Sequence, residues 1–226
     1  MSTEFFDAVK AGDREKVEQL VTADRSLLVA KDKSGVSAIL LAYYHGKDEV
    51  AKALIGRKSA LDVFEAATAG DADRVRALVT KDRALANAWS PDGFFPLGLA
   101  AFFKRPAVVK VLLESGANAK MASRPAGFTA LHSAVSDDAG EVTKDIVRML
   151  IDAGGDPNAR SATDGTPVHT AAFTGNLPVL EMLLDAGGDP QAPDKKGHSP
   201  LDVARERGNT EAAALLHKSV TSRKRG

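Results

Sequence analysis

The sequence lacks cysteine and contains few aromatic residues among its 226 positions. Without cysteine there can be no disulfide bonds, no thiolate nucleophile and no cysteine-ligated metal. Aromatic residues make up 5% of the chain, so aliphatic side chains must supply most of the core. No apolar run approaches the roughly 18 residues that a membrane-spanning helix needs.

The chain also has no excess of charge of either sign. Lys and Arg together number 30, and Asp and Glu together also number 30. This balance gives no net field that would favour nucleic acid or an anionic membrane. Residues 1–12 lack the basic and then apolar segments of a secretory signal. We therefore expect a cytoplasmic protein that binds neither nucleic acid nor membrane, with a short basic tail at 219–226.

The most prominent feature of the sequence is self-similarity. The segment 164–172, closed by Gly175, recurs in weaker form along the chain at intervals near 33 residues, and a fixed period of this kind indicates a solenoid. Thr166 is suited to cap a helix whose first residue is Pro167, and Gly175 to end it in the left-handed conformation. A second helix is predicted from apolar residues at helical spacing, which are Val179, Leu180, Leu183 and Leu184.

These units resemble the ankyrin repeat family. The best matches are Thr166-Pro167-Val168-His169, Thr129-Ala130-Leu131-His132 and Ser199-Pro200-Leu201-Asp202. Phe64-Glu65-Ala66-Ala67, Asp92-Gly93-Phe94 and the residues 99–103 are similar to bacterial members of the family. The resemblance implies an all-α solenoid of about seven helix-turn-helix units with short β-turn or hairpin fingers.

The expected solenoid occupies residues 1–218. The first and last units should be caps, because an end repeat has one face toward water. Asp202 stands at the usual histidine position of the last unit, as expected for a water-facing end. The expected units are 1–30, 31–57, 58–88, 89–121, 122–159, 160–192 and 193–218.

Two intervals depart from the period. The residues that align with Thr166 in the second and third units are Ser37 and Leu61, only 24 positions apart. This interval leaves no room for a finger, so one should be missing near residues 56–60. A longer interval of 37 places about four extra residues between the two helices of the fifth unit, within 136–144.

The polar residues give no indication of catalysis. The resemblance implies that His132 and His169 bond backbone groups and tie adjacent repeats together, while the other histidines occupy unrelated repeat positions. No nucleophile elbow or phosphate-binding glycine loop occurs. The acidic insertion lacks the spacing of an EF-hand and is interpreted as a solvated loop; its acids are Asp137, Asp138, Glu141 and Asp145. We expect no catalytic residue, no cofactor and no metal.

The aromatic residues are the remaining candidates for function. Five of the twelve fall within residues 89–103, and one of them, Phe95, aligns with the helix-capping threonine and should be buried. In ankyrin proteins the finger tips and first-helix ends line the concave groove that binds partners. Large aromatic side chains at such places are typical anchors of an interface. The predicted partner-binding residues are Trp89, Phe94, Phe102, Phe103, Tyr44, Phe128 and Phe173.

The sequence leaves several alternatives open beside a non-catalytic protein-binding module. The aromatic rings could fill space beneath a neighbouring finger. A small-molecule site or an enzyme pocket would need convergent polar groups, and the nearest are Asp92, Lys104 and Arg105. A third alternative is a self-associating scaffold, although a monomer is expected more than a homodimer.

Overall fold

The computed structural model describes residues 2–136 and 140–223, and they form fourteen α-helices. Successive helices pack as seven pairs, and each pair packs on the next, which confirms the all-α solenoid. Two short 3-10 helices, Arg25–Val29 and Arg83–Asn87, follow α2 and α6. The helices are α1 (Ser2–Ala11), α2 (Arg14–Ala23), α3 (Ala38–Tyr44), α4 (Asp48–Arg57), α5 (Val63–Ala69), α6 (Ala72–Lys81), α7 (Pro96–Phe102), α8 (Pro106–Glu114), α9 (Ala130–Ala134), α10 (Gly140–Asp152), α11 (Pro167–Thr174), α12 (Leu177–Asp185), α13 (Pro200–Arg207) and α14 (Thr210–Arg223).

The helix boundaries follow the predicted chemistry in the clearest unit. The Thr166 hydroxyl caps α11, Pro167 is its first residue, and Gly175 ends it with a φ of 73°. Asp202 takes the third helical position of α13, where its carboxylate accepts hydrogen bonds from the Ser199 backbone N–H and hydroxyl. Helix α14 continues past residue 218, where we expected the last unit to end.

Two histidines join consecutive repeats, as predicted. His132 Nε2 lies 3.1 Å from the Gly165 carbonyl oxygen, and its Nδ1 accepts from the Thr129 N–H at 3.2 Å. His169 repeats the arrangement, with Nε2 3.1 Å from the His198 carbonyl oxygen. Because Nδ1 accepts a hydrogen bond, Nε2 must carry the single proton of a neutral imidazole.

We predict that acid destabilises the chain through His132 before most carboxylates titrate. Burial lowers the pKa of this imidazole from 6.5 to about 4. Between these values the unfolded chain binds a proton that the folded chain does not, so stability falls as the pH decreases from 6.5 to 4. Above that window the ring is neutral in both states and contributes no pH dependence. The loss reaches up to about 3 kcal/mol at pH 4.

Denaturant unfolding at a series of pH values checks this expectation. His132→Gln should reduce the dependence between pH 6.5 and 4, with a part remaining because burial also lowers the pKa of His169, whereas His217→Gln, at an exposed position, should leave it as in the wild type. An equal slope for the wild type and His132→Gln would show that the protonation of His132 does not limit stability.

Five turns project from the helical layers and form a row of fingers. We number them finger 1 (30–37), finger 2 (88–95), finger 3 (122–129), finger 4 (159–166) and finger 5 (192–199). Backbone hydrogen bonds join the later fingers in sequence, with N–H donors at Arg124, Ala162 and Lys195 and distances of 2.9, 2.8 and 3.0 Å. The row is therefore a continuous edge of the solenoid and not a set of independent loops.

The predicted missing finger is confirmed at the third unit. Helix α4 ends at Arg57 and α5 begins at Val63, and no turn forms in the described residues 58–62. Fingers 1 and 2 meet across this gap. A Cβ added to Gly35 of finger 1 would lie 2.7 Å from Pro91 Cβ of finger 2. Fingers of the second and fourth units are therefore in direct contact.

A buried ion pair occupies the junction where the finger is missing. The Glu65 side chain is fully buried, and Lys58 Nζ donates to its two oxygens at 2.6 and 2.7 Å. Glu65 also accepts from the Asp62 N–H at 3.0 Å. Asp62 caps α5, so the cap is one residue later than the alignment predicted, and Leu61 is instead a core residue. The shift arises because the cap and the glycine that ends the helix lie closer together here: Asp62 precedes Gly70 by eight positions, while Thr166 precedes Gly175 by nine.

The insertion in the fifth unit lies only partly within the described residues. Asp137 and Asp138 are outside them, so the interpretation as a solvated loop stays a prediction there. Helix α10 begins at Gly140, and Glu141 pairs with Lys144 within its first turns. Over the ranges 2–136 and 140–223, no helix has the length and apolar character needed to cross a membrane.

Candidate functional site

An apolar groove of about 360 Å³ lies between fingers 2 and 3 and the carboxyl ends of α3, α7 and α9. We call it the aromatic groove. Five of the seven predicted binding residues line it, together with one leucine and small residues from the same elements. Its lining residues are Tyr44, Phe94, Gly98, Leu99, Phe102, Phe103, Ala126, Phe128, Ser133 and Ser136.

The aromatic groove exists because rings from the second and fourth units meet across the third. The Tyr44 ring at the end of α3 stacks on Phe103 with centroids 6.3 Å apart, and lies 6.0 Å from Phe94. The intervening α5 carries the small residues Ala66 and Ala67, both fully buried, and has no finger above it. The missing finger thus brings together rings that would otherwise be two repeats apart.

The Tyr44 hydroxyl contributes a polar atom to this apolar surface. Its oxygen is buried and makes no hydrogen bond of ordinary geometry within the described residues. Burial raises the pKa of Tyr44 far above its usual value, and the nearby Asp92 carboxylate raises it further. The phenol is therefore neutral at physiological pH and adds no charge to the groove.

Gly98 contributes no side chain to the floor of the groove, and the Phe95 ring occupies the space where its side chain would lie. Phe95 is 1% exposed, as predicted for its place in the stack, and it makes no side-chain cap to α7. A Cβ added to Gly98 would lie 2.9 Å from Phe95 Cζ. Gly98 stands at the third helical position, where α9 and α11 carry His132 and His169.

Gly98→Ala is expected to destabilise the chain by about 1–3 kcal/mol, because the buried Phe95 ring cannot move away from the new methyl group. Helix propensity alone would favour alanine by up to about 1 kcal/mol, so the clash determines the sign. Gly56→Ala is the matched control, since no atom lies within 4 Å of a Cβ added there. Urea unfolding should show that the control is stabilised and that Gly98→Ala is destabilised. Stabilisation of both variants would mean that the Phe95 ring moves away from the new methyl group.

A second depression of about 230 Å³ adjoins the aromatic groove on the side of the later repeats. Phe128 lines both surfaces, and its ring stacks on His132 with centroids 5.4 Å apart. Phe173 lines the far part of the second depression. The two depressions adjoin at Phe128, and we call them together the track; the first is lined mainly by apolar side chains, and the second by Ser, Thr and His side chains and Asp194 beside its rings.

The predicted binding residues differ in how accessible they are. Phe102 and Phe128 are 48% and 42% exposed, while Phe94 and Phe103 are half-buried against Tyr44. Binding therefore stays a prediction for the exposed rings, whereas Phe94 and Phe103 fill space against Tyr44.

Trp89 and Phe173 lie outside the aromatic groove. Trp89 is exposed, and the Arg124 guanidinium lies 4.5 Å from its ring centroid. Phe173 is also exposed, and the Arg207 guanidinium lies 4.0 Å from its ring centroid. Both rings are therefore already in contact with a cation.

The polar groups nearest the groove are engaged in the scaffold. Asp92 accepts a hydrogen bond from the Ser90 hydroxyl. Lys104 Nζ donates to the Ala134 carbonyl oxygen at 2.6 Å, and Arg105 Nε donates to that of Thr68 at 2.9 Å. Within the described part of the chain, no group of three or more His, Asp or Glu side chains is placed to hold a metal ion. The groove thus offers apolar contact and few convergent polar groups.

Sequence reasoning overlooked the small residues of the groove. Gly98, Ala126, Ser133 and Ser136 line it beside the rings. One indication was present in the sequence, since a glycine at the position of the repeat's histidine leaves that place without a side chain. The other three positions had no such indication.

Comparison with known proteins agrees with this fold. A family profile described as ankyrin repeats in three copies matches residues 63–161 and 139–224. The chain therefore belongs to the ankyrin repeat family, whose members are generally non-catalytic modules of protein–protein interaction. Over 80 residues it is 44% identical to the Homo sapiens protein "Neurogenic locus notch homolog protein 4". That match covers 35% of this chain and only 4% of the relative, so the likeness is local.

Proposed function

We propose that this chain is a non-catalytic module that binds a protein partner through its concave face, with the aromatic groove at the centre of the interface. One observation carries the proposal: Phe102 and Phe128 remain 48% and 42% exposed on either side of an apolar groove. Exposed apolar surface that forms one patch, and is not scattered, is typical of an interaction site.

The rings have the properties of interface anchors. Each large aromatic side chain can bury about 150–250 Å², and the few residues that dominate an interface usually lie in such pockets. The Phe103 ring packs edge-on against Phe102 with centroids 5.0 Å apart, and the His132 ring stacks on Phe128, so both exposed rings are held in place before a partner arrives. Trp89 and Phe173 would act as flanking contacts, with their stacked arginines at the rim.

Quantitative affinity capture from the native cell tests the proposal. The wild type should retain a partner for which Phe102→Ala and Phe128→Ala each weaken binding by about thirtyfold or more, since anchors of this type are worth about 2 kcal/mol or more. Val29→Ala is the control, because Val29 is 67% exposed and does not line the groove. Equal capture by all four proteins would show that the partner binds elsewhere.

A further inference from the structure

The exposed charged side chains of the five fingers are all basic. The finger acids are half-buried, and three of them, Asp32, Asp92 and Asp194, accept hydrogen bonds within their own finger. The exposed basic residues are Lys31, Lys33, Arg124, Arg160, Lys195 and Lys196. Counting their four aspartates, the fingers carry six basic and four acidic side chains, so this row is a surface of net charge +2 on a chain with no net charge.

The basic residues stand at both ends of the track. Lys31 and Lys33 belong to finger 1, before the aromatic groove, and Lys195 and Lys196 belong to finger 5, beyond the second depression. The surface beside finger 1 also contains Lys10 and one exposed acid, Asp7. Arg124 lies on the same finger as Phe128, between the two ends. The track therefore has aromatic rings in its middle and exposed basic side chains along its edge.

We propose that the occupant of this face is a short linear segment of an acidic protein, with apolar side chains set among Asp and Glu residues. This inference rests on the proposed function and adds the chemistry of the partner. One apolar side chain enters the aromatic groove and another enters the second depression, on opposite sides of Phe128. Acidic residues before and after them lie against the finger lysines, where opposite charges favour encounter and fix orientation.

The spacing of the repeats sets the length of that segment. The track runs from α7 past α9 to α11, which is two steps of neighbouring helices, or about 20 Å at 8–10 Å a step. An extended chain covers that distance in about six residues. A segment of about ten residues therefore reaches both depressions and also places acids against the flanking fingers.

Peptide binding by fluorescence anisotropy tests the inference directly. One synthetic pool has peptides of about ten residues, with two Phe or Leu residues about six positions apart among Asp and Glu. A matched pool replaces the acids by Lys and Arg. The full chain should bind the acidic pool at least about tenfold more tightly, and the preference should weaken as salt screens the charges.

Charge reversal supplies the matched variants. Lys33→Glu with Lys195→Glu should weaken binding of the acidic pool by about tenfold. Lys81→Glu with Lys110→Glu makes the same change at exposed positions of the outer helices α6 and α8 and should change it less than about twofold. Phe102→Ala should abolish binding in either charge background.

The other outcomes overturn the inference and are distinguishable from a failure of the proposed function. Binding that depends on Phe102 but not on peptide charge would leave the groove as an interface and refute the acidic partner. If neither pool binds but the wild type captures a partner that Phe102→Ala does not, the proposed function stands and only the linear segment is refuted. Sedimentation that shows a dimer lost in Phe102→Ala would identify the occupant as a second copy of this chain.

Discussion

Glu65→Ala is expected to destabilise the chain by about 3–5 kcal/mol, because it leaves a lysine without its partner in a mostly buried site. The Lys58 side chain is only 11% exposed, and the Glu65 carboxylate accepts hydrogen bonds from both Lys58 Nζ and the Asp62 N–H. The carboxylate thus stabilises the short connection between α4 and α5 that stands where a finger is missing. Its loss should loosen the contact between α3 and α5 first.

Two further variants separate this effect from a general cost of removing charge. Glu49→Ala breaks an exposed pair with Lys52, in which both side chains are about two-thirds exposed, and should cost less than about 1 kcal/mol. Lys58→Met with Glu65→Leu removes both buried charges and should recover much of the lost stability. Chemical denaturation measures all three; a loss below about 1 kcal/mol for Glu65→Ala would refute the role of the pair.

Phe95→Ala is the second change with a large expected effect, a loss of about 3–5 kcal/mol. The ring is almost wholly buried and packs over the bare backbone at Gly98. No side chain stands at Gly98 to fill the space that the ring would leave. The variant should therefore leave a cavity under the groove and lower both stability and partner binding.

A double substitution tests whether Phe95 and Gly98 replace the usual arrangement of the repeat. In α9 and α11 the N–H of a threonine cap donates to Nδ1 of a histidine three residues later, and Nε2 of that histidine hydrogen-bonds the carbonyl oxygen that precedes the next cap. Phe95→Thr with Gly98→His should restore this arrangement, with the Phe128 carbonyl as acceptor. Its unfolding free energy should exceed that of Phe95→Ala by at least about 1 kcal/mol; equal or lower stability would show that the two solutions are not equivalent.

The solenoid could be predicted from the sequence because each repeat carries its own helix caps and stops. The missing finger was also predictable, since it is a matter of chain length. The identity of residue 40 is consistent with the missing finger. Leu40 occupies the third position of α3, where a histidine would have no finger carbonyl in the next unit to bond. The exact cap of α5 was missed because α5 is one residue shorter than the repeat implied.

The candidate site was only partly predictable. Alignment identified the rings at first-helix ends, but the contact of Tyr44 with Phe94 depends on finger 1 closing onto finger 2 at Gly35 and Pro91. That closure is a three-dimensional consequence of the missing finger. The basic character of the finger row was hidden as well, because Lys and Asp alternate there in sequence. Only the structure shows that backbone N–H groups engage Asp32 and Asp194.

The most direct test of the account is the affinity of the captured partner for the wild type and for Phe102→Ala, measured by titration calorimetry beside thermal unfolding of each protein. The account predicts that binding weakens by about 2 kcal/mol or more, roughly thirtyfold. The melting temperature should change little, because Phe102 is 48% exposed, and Val29→Ala should leave both quantities unchanged. Intact binding with a lowered melting temperature would contradict the account, since it would make the ring part of the core and not of an interface.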